Sequence, residues 1–298
     1  MECRGNQCAP DCVCVGCPGH VTRPPSQPSK PDNEEEEKEI PIEEIPLTGM
    51  FTMFVSDHVA YIIGYPEGDV RPNKSMTRAE IVTVFFRLLR DEVRKEYWTQ
   101  TNEYSDVNVG NWHNNAISVM SNMGIVSGYP DGTFRPNDSV TRAELAAIAA
   151  RFARKLGIEG YRDVIFNDIE AHWAEDEIMV AAKLGWVSGY NNGTYYPDNA
   201  ITRAEFMTIV NRLMERVPES VEDILVDVMV RWVDNANPSA WYYLAVQEAT
   251  NSHKPEYKDD KVPGLEFAYE KWVEMIENYD WLALEQTWVE RYNNPQSD

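Results

Sequence analysis

Three segments of the chain decide its fold, because they repeat one pattern almost residue for residue. They read GYPEGDVRPNKSMTRAE at residues 64–80, GYPDGTFRPNDSVTRAE at 128–144 and GYNNGTYYPDNAITRAE at 189–205. Successive segments begin 64 and then 61 residues apart (64 to 128, and 128 to 189). Self-similarity at a fixed period is typical of repeat architectures, in which one supersecondary unit packs against the next copy.

Each copy predicts a tight turn followed by a helix. Glycine, proline and aspartate or asparagine at its start favour a turn. The closing Thr-Arg-Ala-Glu is a capping box, in which the threonine caps the helix and the glutamate reaches back from the third helical position. Apolar residues then recur at helical spacing in each copy: Ile81, Val84, Phe85 and Leu88; Leu145, Ile148, Ala149 and Phe152; Phe206, Ile209, Val210 and Leu213. The fold is therefore predicted to be mainly α, with a three-helix bundle at its centre.

A second helix is predicted upstream of the second and third turns. Asp106 leads to Trp112 and Asp168 leads to Trp173, and each tryptophan precedes its turn glycine by 16 residues. An apolar helical pattern follows each tryptophan. The first copy has no such helix ahead of it, so it forms only half a unit.

The missing half is predicted at the other end of the chain. Asp227 followed by residues 241–249 repeats the upstream pattern without a turn after it. We expect this C-terminal half-repeat to pack beside the N-terminal one, which would complete a ring of three units. A structure in which residues 240–250 lie far from residues 60–80 would contradict this hypothesis.

Composition and repeats together predict six segments. The long Pro- and Glu-rich stretch cannot bury enough apolar surface to order itself, so it is interpreted as a solvated linker. Residues 267–292 are rich in aromatic residues and are predicted to form amphipathic helices on the module. The segments are 1–20 (Cys-rich), 21–49 (linker), 50–97 (first half-repeat), 98–160 (second repeat), 161–220 (third repeat) and 221–298 (C-terminal half-repeat with the aromatic-rich stretch).

Charge and hydropathy exclude some classes of partner. The formal net charge of -22 argues against nucleic acid and against anionic membrane surfaces. No apolar run approaches the roughly 20 residues of a membrane helix, so membrane insertion is not predicted. No secretory signal follows Met1, and we expect the chain to be a C-terminal fragment or to carry a misplaced start, with a cytoplasmic protein as the alternative.

Residues able to carry catalysis or to hold a metal are sparse. The five cysteines lie between Cys3 and Cys17, where thiolates could share a zinc ion or belong to an upstream Cys-rich module. Their spacing matches no established zinc motif, so no metal site is predicted. The five histidines show no ligand spacing and there is no phosphate loop or nucleophile elbow, so no catalytic residue and no cofactor are predicted.

The arginine of each Thr-Arg-Ala-Glu is the strongest candidate for binding. Arg78, Arg142 and Arg203 fall at the first helical position, where the helix dipole disfavours a cation. A guanidinium beside free helix N–H groups makes a good anion receptor, and its fork geometry suits a carboxylate. The alternative is a structural ion pair with a nearby aspartate. An exposed arginine of this kind contributes little to stability, so Arg142→Ala is expected to leave the fold intact.

Aromatic residues lie beside these arginines in the sequence. Tyr129 and Tyr190 belong to the turns, whereas Trp112, Trp173 and Trp241 precede the upstream helices. Sugar faces stack well on such rings, but aromatic residues of a small repeat are more often buried. The tryptophans are therefore interpreted as core residues, with sugar stacking as the alternative.

The complete pattern resembles the S-layer homology domain of Gram-positive surface proteins. It reads Phe/Tyr-x-Asp-Val…Trp…Gly-Ile/Trp-Val-x-Gly-Tyr-Pro-Asp-Gly-Thr-Phe-Arg-Pro…Thr-Arg-Ala-Glu, and residues 104–156 and 166–214 fit it best. The resemblance implies a mainly α, pseudo-threefold spindle whose three-helix bundle carries helix–loop prongs. It also implies a non-enzymatic extracellular protein on the cell wall, whose partner is secondary cell-wall polysaccharide, often bound through a pyruvate-ketal carboxylate.

The resemblance also implies roles for individual residues. In the family the arginine of Thr-Arg-Ala-Glu contacts the acidic sugar, which carries over to Arg78, Arg142 and Arg203. The other implied carbohydrate-binding positions are Trp112, Trp173, Trp241, Asp106, Asp168, Gly128, Gly189, Tyr129 and Tyr190. The third turn departs from the pattern with Asn191 and Asn192 for Pro-Asp and Tyr196 for Arg, so unequal sites are expected.

Two other functions are compatible with the sequence. The chain could be an S-layer subunit whose repeats self-associate, or the tether of an enzyme or adhesin lying upstream. An intrinsic hydrolase is the least supported reading, because no catalytic motif is present.

Overall fold

The computed structural model describes residues 53–156 and 166–294. The Cys-rich segment and the linker, and with them any role of the cysteines, lie outside the described residues. All described residues belong to the compact unit formed by residues 44–298. None of the described helices is long and apolar enough to cross a membrane.

Helix is the most abundant regular structure in the described residues, at 36% against 12% strand, which agrees with the mainly α prediction. Eight helices and one two-stranded sheet are found there, and a short 3₁₀ turn covers Val221–Asp223. In chain order they are α1 (Arg78–Leu88), α2 (Asp91–Glu96), α3 (Asn114–Asn122), α4 (Arg142–Lys155), α5 (Glu175–Lys183), α6 (Arg203–Leu213), α7 (Tyr243–Thr250), β1 (His253–Lys261), β2 (Ala268–Met275) and α8 (Trp281–Asn293).

The capping boxes start α1, α4 and α6 where the sequence places them. In α4 the Thr141 hydroxyl accepts the N–H of Glu144 at 3.2 Å, and the Glu144 carboxylate accepts the N–H of Thr141 at 2.8 Å. Both bonds are also present in the other two boxes. Each box satisfies backbone donors that a helix start leaves free, which typically contributes about 1 kcal/mol.

The apolar stripes of these three helices meet in one core. Every stripe residue named above is buried. The Phe85 ring lies 5.2 Å from that of Phe152 and 5.8 Å from that of Phe206, so each of the three helices contributes a phenylalanine to the same cluster. Burial of such side chains contributes about 1.5–3 kcal/mol each.

Backbone hydrogen bonds link the starts of the same three helices in a closed cycle. The N–H of Met76 donates to the carbonyl of Ile201 at 3.1 Å, that of Val140 to Met76 at 3.0 Å, and that of Ile201 to Val140 at 2.8 Å. Each residue precedes the capping threonine of its repeat. Backbone hydrogen bonds, as well as side-chain packing, therefore fix the register of the three repeats relative to one another.

The two ends of the repeat region lie against each other. The N–H groups of Tyr61 and Ile62 both donate to the carbonyl of Ala249 at 3.0 Å. The indole of Trp232 lies so close to Gly64 that a Cβ there would come within 2.0 Å of the ring. Residues 240–250 thus contact the start of the 60–80 segment, just before its turn, and do not lie far from it.

One aspartate holds each of the three turns. Its two carboxylate oxygens accept two successive backbone N–H groups at 2.7–2.9 Å. Asp106 binds Phe134 and Arg135, Asp168 binds Tyr195 and Tyr196, and Asp234 binds Val70 and Arg71. The second residue of each pair has a positive φ of 52–58°, a conformation that costs side-chain-bearing residues about 1 kcal/mol and that these bonds stabilise.

The prediction that Asp227 begins the C-terminal half-repeat is wrong. Its side chain is 96% exposed and makes an ion pair with Arg231 at 3.9 Å. Asp234 holds the first turn in the way that Asp106 and Asp168 hold the other two. Trp232, two residues before it, lies against the turn glycine as Tyr104 and Phe166 do in the other repeats. The distance from aspartate to tryptophan differs in each repeat, so spacing alone pointed to the wrong aspartate.

The prediction of helices throughout residues 267–292 is also wrong in its first half. Residues 268–275 form β2, which pairs antiparallel with β1 in the register His253↔Met275. Glu270 and Trp272 are buried while the residues between and after them are exposed, which is the alternation of a strand. Only α8 is helical, and it buries Trp281, Trp288 and Tyr292 against the module.

Candidate functional site

Two grooves run between neighbouring repeats. Groove A, of about 350 Å³, is lined by Arg78, the turn at Gly128 and Tyr129, Glu144 and Arg151 of α4, and Trp173. Groove B, of about 690 Å³, is lined by Arg142, the turn at Gly189 and Tyr190, Glu205 and Arg212 of α6, and Trp241. The same kinds of residue recur at matching positions, so the grooves are two versions of one site.

The Thr-Arg-Ala-Glu arginine is fixed within each groove by the next repeat. Arg142 donates from Nε to the carbonyl of Tyr195 at 2.8 Å, from Nη2 to that of Ser188 at 3.0 Å, and from Nη1 to Glu205 at 3.0 Å. Arg78 makes the equivalent bonds in groove A, to Phe134, Ser127 and Glu144. The arginine therefore joins two repeats.

This geometry corrects two expectations about the arginines. Arg142 and Arg203 are 6% and 4% exposed, so they are not surface residues. The partners of Arg78 and Arg142 are the glutamates of the neighbouring capping boxes rather than aspartates. The expectation that Arg142→Ala leaves the fold intact loses its basis, because the buried carbonyl of Tyr195 would lose its donor and Glu205 would lose its ion pair.

The third arginine has a related but different environment. Arg203 donates to the carbonyls of Val70 at 2.8 Å and Ile63 at 3.2 Å in the first turn, and its guanidinium lies 5.3 Å from the centre of the Tyr65 ring. Near it, Lys74 Nζ lies 3.8 Å from Glu80 Oε1 and 3.1 Å from the Tyr65 hydroxyl. The environment of Arg203 therefore differs from the matching environments of Arg78 and Arg142.

The turn tyrosines complete a three-residue cluster in each groove. The hydroxyl of Tyr129 donates to Glu144 at 3.2 Å, and that of Tyr190 donates to Glu205 at 3.1 Å. Both rings lie 5.1 Å from the guanidinium carbon of the groove arginine. Burial raises the pKa of both tyrosines, so the hydroxyls stay protonated and remain donors at neutral pH.

The tryptophans lie on the surface, which overturns their interpretation as core residues. Trp112, Trp173 and Trp241 are 59%, 62% and 66% exposed. Each stands two residues before its helix begins. Trp173 and Trp241 line grooves A and B, and a large exposed aromatic ring beside a polar groove is suited to stacking on a sugar.

The turn glycines and the leading aspartates act on the framework of the grooves. A Cβ at Gly128 would lie 2.4 Å from the Tyr104 ring, and one at Gly189 would lie 2.4 Å from the Phe166 ring. The aspartates Asp106 and Asp168 hold the turns by the bonds described above. These four residues therefore shape the turns that line the grooves.

A second arginine in each groove was missed from the sequence. Arg151 and Arg212 follow Arg142 and Arg203 by nine residues on the same helices and are half-buried. Burial lowers the pKa of both guanidinium groups. Within residues 53–156 and 166–294 neither forms an ion pair, although Arg151 donates to the carbonyl of Ile125 at 3.0 Å and Glu177 lies near enough to act on its charge. The sequence signal for these arginines is their constant separation of nine residues from the Thr-Arg-Ala-Glu arginine of the same repeat.

In the first repeat the corresponding arginine, Arg87, forms an ion pair with a glutamate of the protein. Arg87 follows Arg78 by nine residues and donates from Nε to Glu285 of α8 at 2.6 Å. Its guanidinium also lies 5.7 Å from the centre of the Trp281 ring. The C-terminal helix thus supplies Arg87 with an ion-pair partner, which Arg151 and Arg212 do not have among the described residues.

Comparison with known proteins agrees with this repeat organisation. The S-layer homology domain model matches residues 103–146 and 165–207. A cellulosome-anchoring protein of Acetivibrio thermocellus is 33% identical over 246 residues, which cover 81% of this chain and 52% of that protein. Cell surface glycoprotein 1 of the same organism is 32% identical over 233 residues, covering 74% of this chain and 9% of that protein.

Other relatives share shorter regions. The S-layer protein EA1 of Bacillus anthracis is 27% identical over 132 residues, which cover 43% of this chain and 15% of that protein. The chain spans about half the length, or less, of these curated relatives. The matched domains, the internal repeat and these relatives together show that the chain is an S-layer homology domain protein of the cell surface.

Proposed function

We propose that this chain anchors a surface protein non-covalently to the cell wall, by binding an acidic secondary cell-wall polysaccharide in grooves A and B. The proposal includes the pseudo-threefold spindle as the framework, with the grooves between its prongs. The observation that carries it is the pairing, in both grooves, of an exposed tryptophan with a half-buried arginine that has no carboxylate partner among the described residues.

The chemistry of the groove fits a sugar that carries a carboxylate. Arg151 and Arg212 attract the anion, and the partial burial that lowers their pKa also strengthens the attraction. Trp173 and Trp241 stack on an apolar sugar face. A pyruvate ketal would present a planar carboxylate, which an arginine can bind with two parallel hydrogen bonds.

The Thr-Arg-Ala-Glu arginines have a different role in this proposal. Arg78 and Arg142 each use three donors on the protein, so they build the groove wall and hold the turn. The N–H groups that they have left over can still face the ligand, because a guanidinium carries five. Arg203 and Trp112 belong to a third position in which Glu285 of α8 neutralises Arg87, so binding there is expected to be weaker.

Co-sedimentation with Gram-positive wall sacculi tests this function. Purified chain should pellet with intact sacculi and stay in solution once their secondary polysaccharide has been removed by acid extraction. Pelleting that survives extraction would contradict the proposal and indicate binding to peptidoglycan.

Self-assembly is a second candidate, because several relatives are named S-layer proteins. Light scattering by the purified chain in the absence of wall material separates the two functions. Large ordered assemblies under those conditions would favour a structural S-layer role, whereas a constant small particle favours anchoring.

A further inference from the structure

Four ionisable side chains meet in the protein interior, away from both grooves. They are His58 in the first described segment, Glu248 of α7, His253 of β1 and Glu270 of β2. None is more than 3% exposed. One nitrogen or carboxylate oxygen from each residue lies within 4.8 Å of those of the other three.

The distances between these atoms are close to those expected around one small cation. His58 Nδ1 lies 3.0 Å from Glu270 Oε2 and 3.2 Å from His253 Nε2. His253 Nε2 lies 3.4 Å from Glu270 Oε1 and 3.5 Å from Glu248 Oε2. Ligands at about 2.0–2.2 Å from a tetrahedral zinc ion are separated from one another by about 3.3–3.6 Å.

The surroundings orient the histidines as metal ligands require. His253 Nδ1 lies 3.0 Å from the carbonyl of Asn251, which can only accept, so Nδ1 carries the proton and Nε2 presents its lone pair to the cluster. The other nitrogen of His58 faces the Tyr257 hydroxyl at 3.4 Å. Such outer partners of ligating histidines are a regular feature of metal sites.

The carboxylates are fixed but incompletely satisfied. Trp272 stacks on the His253 ring with 4.2 Å between ring centres, and its indole N–H donates to Glu248 Oε2 at 2.9 Å. Glu248 Oε1 and both carboxylate oxygens of Glu270 accept no hydrogen bond from the described residues.

The buried guanidinium of Arg216 donates its hydrogen bonds to backbone carbonyls and not to these carboxylate oxygens. Arg216 is 1% exposed and donates to the carbonyls of Asp57 at 2.7 Å and Val59 at 3.2 Å. Buried carboxylate oxygens without a partner are costly, and coordination of a cation is one of the few ways to satisfy them.

We propose that His58, Glu248, His253 and Glu270 form a structural zinc site. Two imidazole nitrogens and two carboxylate oxygens suit zinc, which accepts both ligand types in a closed four-coordinate site, whereas calcium and magnesium prefer oxygen alone. The site joins the start of the repeat region to the C-terminal hairpin, next to the direct hydrogen bond from the His253 N–H to the His58 carbonyl at 3.0 Å. Zinc would therefore clip the two ends of the module together.

The test uses the full chain with its five cysteines replaced by serine, because thiolates also bind zinc. The protein is stripped with a chelator, given zinc sulfate and freed of excess metal by gel filtration. We expect about one zinc ion per chain by atomic emission, and a rise in Tm of about 5 °C or more over the stripped protein. Cobalt in place of zinc should give the strong visible absorption of a four-coordinate site.

Variants identify the ligands. Glu248→Gln and His253→Asn should each lose the bound zinc and the rise in Tm, whereas His172→Asn, outside the cluster, should keep both. If a cluster variant does not fold, the cobalt spectrum of the unsubstituted cluster decides the matter. Failure of the stripped chain to take up zinc, or full zinc binding by both cluster variants, would overturn the proposal and leave a proton-sharing cluster only. Neither result depends on wall binding.

Discussion

Replacing Arg142 by alanine should destabilise the fold by about 3 kcal/mol. The side chain is 6% exposed and makes three hydrogen bonds, two to backbone carbonyls and one to the Glu205 carboxylate. Its loss leaves the buried carbonyl of Tyr195 without this donor, at about 1–3 kcal/mol, and removes a partly buried bond to the carbonyl of Ser188, at about 1 kcal/mol. Glu205 keeps its other bonds, from the Thr202 backbone and the Tyr190 hydroxyl, so the loss of its ion pair adds only a modest further cost.

Differential scanning calorimetry of the purified variant measures this effect. A loss of about 3 kcal/mol corresponds to a fall in Tm of about 6–12 °C for a domain of this size. Arg154→Ala is the matched control, because that arginine lies on the same helix, is 48% exposed and pairs with the surface carboxylate of Glu177. The control should change stability by about 0.5 kcal/mol or less. An Arg142→Ala variant as stable as this control would refute the view that the arginine joins two repeats.

Four further predictions concern the turns, the groove rim, the C-terminal helix and a buried acid. Gly128→Ala should be more destabilising than Gly132→Ala in urea unfolding, because its Cβ would meet the Tyr104 ring at 2.4 Å, whereas Gly132 (φ +79°) has open space and only a backbone cost of about 1 kcal/mol. Equal losses would contradict this. Trp173→Ala should weaken binding to sacculi and leave Tm within about 2 °C, since the ring is 62% exposed; a large fall in Tm would show a packing role. Glu285→Gln should lower Tm by a few degrees through the loss of the 2.6 Å Arg87 pair and should not reduce wall binding; reduced wall binding would place α8 in the ligand site. Burial raises the pKa of Glu215 to about 6 from 4.5, so the folded chain binds its proton more tightly and stability should fall as pH rises from about 4.5 to about 6. Glu215→Gln should flatten that part of the Tm–pH profile, and an unchanged profile would contradict the assignment.

Local patterns with a fixed geometry were predictable from the sequence. The capping boxes, the buried stripes and the mainly helical fold follow from short-range rules that hold wherever Thr-x-x-Glu precedes a helical apolar pattern. The carbohydrate-binding residues as a set remain a prediction, although Trp173 and Trp241 lie in grooves with the arginines.

Features that depend on contacts between distant residues were not predictable. Nothing near Arg142 in the sequence indicates that Glu205 and the carbonyl of Tyr195 surround it. Asp234 was missed because its position is defined by the backbone N–H groups of Val70 and Arg71, far earlier in the chain.

The sequence patterns also failed to predict that the tryptophans are exposed and that the C-terminal region contains a β-hairpin. The tryptophans were wrongly assigned to the core because each lies just before a helix. A side chain at such a position can face the core or the solvent, and the apolar pattern of the following helix does not predict which. The hairpin at 253–275 was missed because its aromatic residues also fit a helical pattern.

The central claim is that grooves A and B bind an acidic wall polysaccharide through Arg151 and Arg212. Calorimetric titration of the acid-extracted polysaccharide into the double variant Arg151→Gln/Arg212→Gln tests it most directly, with Arg154→Gln as the control. The account predicts a loss of binding of at least 10-fold in the double variant, about 1.4 kcal/mol or more, and no change in the control. Wild-type affinity in a folded double variant would contradict it.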